Sequence, residues 1–289
     1  MLLETLFIII IAPLVSGIIT KIKNNLRMRK GPGIFQPYHN FIKLFYKEEV
    51  VSEVSSWIFR ITPFIVLGST VLAALLAPVF TVTPYARYIG DFILIIFILA
   101  LGRFFLALSG IDTGSSFGGM GSSREMFLSS LAEPAAIVSI FAVSLNAGTT
   151  NLGVIYGLHG VKVSSIIAGF SLLMAAIAET SRIPIDNQET HLELTMIHEA
   201  MALEYSGRSL ALIELSSHIK QIVFFSLIAG ILFPSQGIVL YLLKIIGISI
   251  AVGFIEVSVA KMRLFRAVDF LAFSFVISLA AIVMSVMGA

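Results

Sequence analysis

Residues 179–214 read ETSRIPIDNQETHLELTMIHEAMALEYSGRSLALIE, and they carry seven of the seventeen acidic residues in a chain of 289. The apolar run 163–180 leads into this stretch, and a second apolar run, 211–233, follows it. Both runs are long enough to cross a hydrocarbon core as helices. The stretch therefore joins two predicted membrane spans, and its acids lie at the boundary between membrane and water.

The composition of the whole chain is that of an integral membrane protein. Hydrophobic residues make up 57% of it, charged residues 12%, and the mean hydropathy is +0.99, whereas soluble domains carry about 25% charged residues. The apolar runs are too long and continuous for the strands of a membrane barrel. We predict one all-α, polytopic membrane domain over residues 1–289, with amphipathic helices in its loops. Its eight predicted spans are 2–20, 58–80, 89–108, 128–147, 163–180, 211–233, 237–257 and 268–288.

Basic residues predict the orientation of these spans. Most of them fall in the segments after the first, third, fifth and seventh spans, and only Arg87 and Lys162 lie in the segments on the other side. Because Lys and Arg are enriched in cytoplasmic loops, we expect the long loops in the cytoplasm and both termini outward. The first apolar run has no basic n-region and no small-residue cleavage site, so it is predicted to be a span rather than a signal peptide.

The first predicted loop begins with a basic Gly/Pro turn and continues as an amphipathic run. Its apolar residues recur at helical spacing beside Lys43 and Lys47; they are Ile34, Phe35, Tyr38, Phe41, Ile42 and Phe45. Two interpretations fit this pattern. The run is either an interfacial helix that lies on the lipid headgroups or a docking surface for a cytoplasmic partner.

Ionisable residues recur at the edges of the other predicted spans. Asp112, Arg124 and Glu125 lie around a Gly/Ser-rich third loop, while Glu133 falls inside the fourth span. An ionisable residue at membrane depth marks either an ion pathway or a paired structural charge. Glu179, at the end of the fifth span, is the same case: it either belongs to an ion pathway or forms a simple salt bridge with Arg182, three residues on along one helical face. Glu256 and Lys261, near the end of the seventh span, resemble an interfacial anchor, and Lys244, in mid-span, must face protein, water or a counter-charge.

After Pro184, Asn187 can cap a new helix. On that helix Glu189, Glu193 and Glu204 would share a sector of about 60°, and His191 and His198 would lie on the opposite side. The histidine spacing is not that of H-E-x-x-H, which disfavours a zinc site. The acidic stripe is either a solvated face or, with the acids that flank it, a cluster. Carboxylates in such a cluster cannot all ionise cheaply, and raised, coupled pKa values suit a proton relay.

Three motifs together indicate a family. A basic G-P-x-x-x-Q-P turn occupies Gly31–Pro37, and Arg124 stands nine residues before Glu133. The third motif, A-E-x-x-R-x-P-x-D…E…E-L…E-Y-S-G, runs from Ala178 to Gly207. Over nearly its whole length the chain resembles the membrane-anchor subunit shared by respiratory NADH:quinone oxidoreductase, where it is also called subunit 1, and the energy-converting, group 4 NiFe hydrogenases.

The resemblance implies a non-catalytic subunit of an ion-translocating oxidoreductase complex in the plasma membrane of a prokaryote. Its expected partners are a NiFe hydrogenase large subunit, an iron–sulfur small subunit and antiporter-like membrane subunits, with no nucleic acid. The NiFe centre and the iron–sulfur clusters are expected on those partners, since this chain has no cysteine. Expected proton-relay acids are Glu133, Glu179, Glu189, Glu193, Glu204 and Glu214. Expected tuning residues are Arg124, Arg182, Asp186, Asp112, Glu125 and His191, and expected docking residues are Arg29, Lys30, Gly31, Pro32, Gln36 and Pro37.

Three departures favour the hydrogenase branch over the quinone branch. Quinone-type members double the glycine–proline turn that is single here at Gly31–Gly33. They carry an acid where this chain has His191, and a glutamate where it has Ser217, with Glu214 about one turn earlier. A quinone-binding subunit and the anchor of a sulfur-reducing complex remain alternatives. A stand-alone transporter would show an inverted repeat, which this sequence lacks, and a purely structural anchor is the remaining class.

Overall fold

The computed structural model describes residues 2–52, 54–77, 90–157, 162–186, 197–234 and 237–288. Within these ranges the regular structure is helical, apart from an isolated bridge between Asp91 and Asn151. The helices are α1 (Leu2–Leu26), α2 (Gln36–Tyr46), α3 (Trp57–Leu76), α4 (Phe92–Asp112), α5 (Ser116–Ala147), α6 (Leu152–Ile155), α7 (Val163–Glu179), α8 (His198–Ala202), α9 (Gly207–Leu232), α10 (Ile238–Ser258) and α11 (Leu264–Val286).

The predicted all-α, polytopic fold is confirmed. Seven helices of the described ranges, namely α1, α3, α4, α5, α9, α10 and α11, are long and apolar enough to cross a membrane, and α7 is a shorter apolar helix. Each of the eight predicted spans corresponds to one of these. Polar caps define where several of them begin, because the side chains of Ser56, Asp91 and Ser115 accept hydrogen bonds from the first turns of α3, α4 and α5.

Successive spanning helices run in opposite directions, so their ends form two faces. We call the face formed by segments 27–56, 113–115, 180–186, 197–206 and 259–263 the loop face. Contacts hold it together: the Ser56 N–H donates to Asp112 Oδ2 over 2.8 Å, and the Met262 N–H donates to the Pro184 carbonyl over 2.8 Å. The first residues of α1 and the last residues of α11 both lie on the opposite face. Which face meets the cytoplasm stays a prediction.

The short length of α7 decides where charged residues enter the bundle. Its 17 residues span about 25 Å at about 1.5 Å per residue, less than the hydrocarbon core of about 30 Å. Helix α7 packs against α5, with 32 residues, and α9, with 26. The loop that follows α7 therefore starts inside the bundle, beside α5 and α9. Thr180, Ser181 and Asp186 are buried there.

Small hydroxyl side chains allow the helices around α7 to approach closely. Ser139 of α5 donates to Ser171 of α7 over 2.9 Å, and Ser171 donates to the Ser274 carbonyl of α11 over 2.8 Å. Small and hydroxyl residues at helix contacts are typical of membrane bundles, where close packing and interhelical hydrogen bonds replace the hydrophobic effect. These bonds fix α7 between α5 and α11.

The amphipathic run of the first loop forms α2, as predicted. Phe41 is buried and meets the ring of His218 on α9 edge-on at 5.5 Å between centroids. The Tyr38 hydroxyl donates to the carbonyl of Ile10 on α1. Helix α2 thus packs on α1 and α9, while Phe35 stays exposed beside it. Both the lipid and the partner interpretations of this exposed surface stay open.

Replacing Gly17 with alanine should destabilise the protein. A Cβ at Gly17 would lie 2.1 Å from the backbone carbonyl oxygen of Ile34, whereas a Cβ at Gly68 would meet no atom within 4 Å. Overpacking costs about 1–3 kcal/mol, while both replacements gain the same helix propensity. Thermal unfolding in detergent should show a lower midpoint for Gly17→Ala and an unchanged or higher one for Gly68→Ala. Equal midpoints would contradict the close packing of residue 34 on α1.

Candidate functional site: a buried network of ion pairs

Arg103, in the middle of α4, joins two carboxylates from other helices. Its guanidinium donates to Glu179 at the end of α7 and to Glu133 on α5. The second oxygen of Glu179 lies 3.1 Å from the ammonium of Lys220 on α9. Arg103 and Glu179 are 7% and 5% exposed. Four helices therefore contribute to one chain of ion pairs. We call Arg103, Glu133, Glu179 and Lys220, together with Glu125, the central cluster.

A narrow cavity lies beside the central cluster on the side toward the loop face. Its volume is about 30 Å³, and its charged and polar lining comes from Arg103, Glu125, Glu179, His198, Ser217 and Lys220 among others. Glu125 is 6% exposed, and its carboxylate feels the charges of Arg103 and Lys220 most strongly. A polar cavity of about 10–15 Å³ holds one water. This cavity is large enough for about two, which would connect carboxylates that do not touch.

Glu133 is the open end of the central cluster. Its side chain is 34% exposed and faces a cleft of about 450 Å³ between α4 and α5. The other walls of the cleft are mostly apolar and include the exposed side chains of Phe97, Leu101 and Phe104. The network thus runs from a buried end near the loop to a carboxylate on the side of the bundle.

A second set of ion pairs lies next to the first and is centred on Glu256 of α10. Its two oxygens pair with Lys23 of α1 at 3.1 Å and with Arg182 at 2.8 Å. Arg182 also donates to Gln221 Oε1 over 2.8 Å. Because Gln221 follows Lys220 on α9, the two sets meet there. We call Lys23, Arg182, Gln221 and Glu256 the second cluster.

Asp186 connects these clusters to the loop face. One of its oxygens pairs with Lys261 at 3.0 Å, and the other accepts the backbone N–H groups of Ile197 and His198 at 3.2 Å each. Asp186 is 1% exposed. The start of α8 is therefore held by a carboxylate that also contacts Lys261, in the loop after α10.

The salt-bridge alternative for Glu179 and the predicted interfacial anchor at Glu256 are both wrong. Arg182 does not pair with Glu179, because α7 ends at Glu179 and the chain turns before Arg182, which removes the helical spacing. Glu256 is not an interfacial anchor, since it is 3% exposed inside the second cluster. Lys244 has a contact that the sequence left unnamed. Its ammonium donates to the carbonyl of Phe233, at the end of α9, over 2.5 Å.

The predicted helix that begins at Asn187 and carries Glu204 is also wrong, because the helical backbone is interrupted before Glu204. Ile197 has a non-helical backbone (φ −122°, ψ −75°), and α8 covers only His198–Ala202. Glu204 follows the end of α8 and is exposed, so it does not share a helical face with earlier acids. Glu189, His191 and Glu193 lie outside the described residues, and so does Asn187.

The remaining predicted residues are spread over the loop face. Arg124 lies one helical turn from Met120, whose sulfur is 3.7 Å away. Glu214 is half-buried on α9, near Glu199, and Asp112 accepts the Ser56 N–H as described above. The predicted docking residues Arg29, Lys30, Pro32 and Gln36 are exposed, and Gly31 and Pro37 are partly exposed.

Three residues at the central cluster and its cavity, Arg103, Lys220 and His198, were not predicted as site residues from the sequence. Arg103 is a lone arginine within FILIIFILALGRFFLALSG, and Lys220 lies inside the sixth predicted span. The cost of an ionisable residue at membrane depth was the signal that could have found both. His198 gives no such signal, since its contact with the cavity depends on the loop. Burial and the neighbouring Lys220 ammonium lower the pKa of His198 to about 4.

In the described ranges, seven helices long and apolar enough to span a membrane and the shorter apolar α7 surround a buried network of charge, which defines a multi-pass membrane protein. Residues 1–287 match the sequence model of the NADH dehydrogenase family, and the chain belongs to this family. Its relatives are subunits of oxidoreductase complexes of the hydrogenase and NADH-quinone oxidoreductase types.

Among these relatives, hydrogenase-4 component C of Escherichia coli strain K12 is 35% identical over 290 residues, covering 94% of this chain and 91% of that protein. Formate hydrogenlyase subunit 4 of the same strain is 31% identical over 280 residues, covering 91% and 90%. NADH-quinone oxidoreductase subunit 8 of Rhodothermus marinus is 26% identical over 237 residues, covering 74% and 66%.

A solved structure shares the fold. A chain of the membrane-bound sulfane sulfur reductase, an archaeal respiratory membrane complex, superposes with a TM-score of 0.84 at 20% identity. The match covers 98% of this chain and 99% of that one.

Replacing Glu256 with glutamine should destabilise the fold more than most substitutions. Lys23 and Arg182 would then share a buried site without their carboxylate, and breaking a buried pair costs about 3–5 kcal/mol. Glu48→Gln is a matched control on an exposed residue, for which a change within about 0.5 kcal/mol is expected. Thermal unfolding of both variants in detergent measures the difference. Similar midpoints would show that the second cluster contributes little to stability.

Proposed function

We propose that this chain is the membrane subunit of a multi-subunit, membrane-bound NiFe hydrogenase. It anchors the hydrogenase large subunit and the iron–sulfur small subunit at the loop face, which we place in the cytoplasm of a prokaryotic cell. It couples their redox reaction to the translocation of protons or sodium ions. The chain itself is non-catalytic, and the metal centres belong to its partners, where metal-bound redox chemistry would take place.

The observation that carries this proposal is the shared guanidinium of Arg103. It contacts Glu179, which ends α7 beneath the loop face, and Glu133, which opens on the cleft. A proton or a partner charge that alters Glu179 changes the attraction that Arg103 feels from that side. Because the site is buried, such a change is weakly screened by water, and Arg103 passes it on to Glu133.

A change at the loop face reaches this network through Asp186 and Glu179. Asp186 holds both Lys261 and the start of α8, while Glu179 lies seven residues before it, where the same loop begins. A docked redox subunit that displaces this loop would alter the contacts of both acids. The cleft beside Glu133 is the output side, where we propose that an antiporter-like subunit packs. Its apolar walls suit a neighbouring transmembrane helix.

Two observations favour a hydrogenase over a quinone-binding subunit. Identity and coverage are higher with the two hydrogenase relatives than with the NADH-quinone oxidoreductase subunit of Rhodothermus marinus. Ser217, which replaces an acid of the quinone-type pattern, lines the cavity. The departure from that pattern therefore lies within the candidate site.

Two alternatives are favoured by single observations. The matched family and its NADH-quinone oxidoreductase relatives support a quinone-binding role, and the superposed reductase chain supports an anchor in a sulfur-reducing complex. The metals of the co-purified partners decide between these functions. Nickel bound to the large partner subunit supports the proposal, and a nickel-free complex would overturn it.

Replacing Glu179 or Glu133 with glutamine should uncouple ion translocation from hydrogen turnover. Glutamine keeps the shape but cannot carry a charge or release a proton, so each variant interrupts the chain of ion pairs. In vesicles that contain the whole complex, dye-coupled hydrogenase activity should stay within about twofold of wild type. The membrane potential formed per hydrogen turned over should fall by about a hundredfold, the low side of a proton-transfer effect.

Lys162→Gln, at an exposed residue just before α7 and outside the loop face, serves as the control and should retain full translocation. If both Glu179→Gln and Glu133→Gln translocate ions like the wild type, the relay through the central cluster is wrong.

A further inference from the structure

His198 lies at the junction between the loop face and the central cluster. It is the first residue of α8, which packs against α4 and α5, and it is partly exposed. Its side chain lines the cavity of about 30 Å³ that also contacts Glu125 and Glu179. Its spacing from His191 disfavours a role as a zinc ligand, and its position beside the cavity gives it a different chemistry.

Charged groups from four helices line the cavity together with His198: Lys220 from α9, Glu125 from α5, Glu179 from the end of α7, and Arg103 from α4. The Lys220 ammonium and the Asp186 carboxylate act on the imidazole. Asp186 binds the backbone N–H of His198 from the preceding loop, and α3 contributes the neutral hydroxyls of Ser69 and Thr70 to the lining. Among the described residues that line the cavity, His198 is the one whose side chain has a ring donor and a ring acceptor, and it is partly exposed.

We propose that His198 is a proton-transferring residue that connects the loop face with the carboxylates of the central cluster. This inference rests on the proposed function and adds an entry residue to it. A neutral imidazole has one N–H donor and one nitrogen acceptor. It takes up a proton at the acceptor nitrogen and releases the proton of the other nitrogen, through cavity water, to Glu125. The imidazole ends neutral, and one proton has moved.

The energetics favour release of the proton from the ring. The pKa of His198 is lowered to about 4, well below the ordinary histidine value of about 6.5, so the protonated ring releases its proton readily. A proton on the ring therefore has little preference for staying there, and the Lys220 ammonium further limits how long the imidazolium persists. His198 is suited to passing a proton on rather than to storing it.

The local fold does not depend on the imidazole. Helix α8 is held by the backbone N–H groups of Ile197 and His198, which bind Asp186. A substitution at His198 retains both bonds. The buried side chains of Ala200 and Met201 anchor the rest of α8. Side-chain variants should therefore keep the structure and change proton transfer alone.

The test compares His198→Ala and His198→Gln in the complete complex, reconstituted in vesicles. Hydrogenase activity with a dye should be unchanged, and ion translocation per hydrogen turned over should fall by about a hundredfold. Added imidazole should restore translocation in His198→Ala, where the missing ring leaves room for it, and should not do so in His198→Gln. Lys162→Gln, outside the loop face, is the control here as well and should behave like the wild type.

Wild-type translocation in both His198 variants would overturn the inference. So would a loss that imidazole does not restore in His198→Ala at any pH, since that result assigns the ring a structural role. The outcome is separable from that of the proposed function. If Glu133→Gln and Glu179→Gln uncouple the complex and the His198 variants do not, the entry residue is wrong and the relay stands.

Discussion

The buried guanidinium of Arg103 holds two carboxylates from two other helices, the buried Glu179 and the partly exposed Glu133. Each buried ion loses hydration free energy of several kcal/mol, which only close partners and further hydrogen bonds offset. Arg103, Glu179 and Lys220 meet this condition together, and none of them could stay charged there alone. The packing of α4, α5, α7 and α9 is therefore tied to their charge.

The short helix α7 is what makes such burial possible. Because α7 ends before its neighbours do, the loop that follows it lies between helices. Glu179 therefore pairs with Arg103 of α4 and Lys220 of α9, and Asp186 pairs with Lys261, just after α10. The two clusters meet at Lys220 and Gln221 on α9. A network of this kind is stable as a whole and sensitive to the loss of any single charge, which is a suitable property for transmitting a redox event.

The length and hydropathy of the apolar runs were sufficient to predict the helices, because whether a long apolar run forms a membrane helix depends on its own residues. The motifs around Gly31, Arg124 and Glu179 were sufficient for the family. The site was only half predicted. Glu133 and Glu179 belong to it, but Arg182 and Glu256 pair differently than expected, since pairing depends on where α7 ends. Arg103 and Lys220 were missed because a single cation in an apolar run does not reveal which helix faces it. The role of His198 depends on loop packing, which no local pattern encodes.

The claim that joins structure to function is that the redox state of the docked subunits changes the charge of the central cluster. Infrared difference spectroscopy on the whole complex, between its oxidised and hydrogen-reduced states, measures this directly. We predict a carboxyl C=O band that changes between the two states, shifts in heavy water and disappears in Glu179→Gln. A carboxyl region that is identical in both states would contradict the claim.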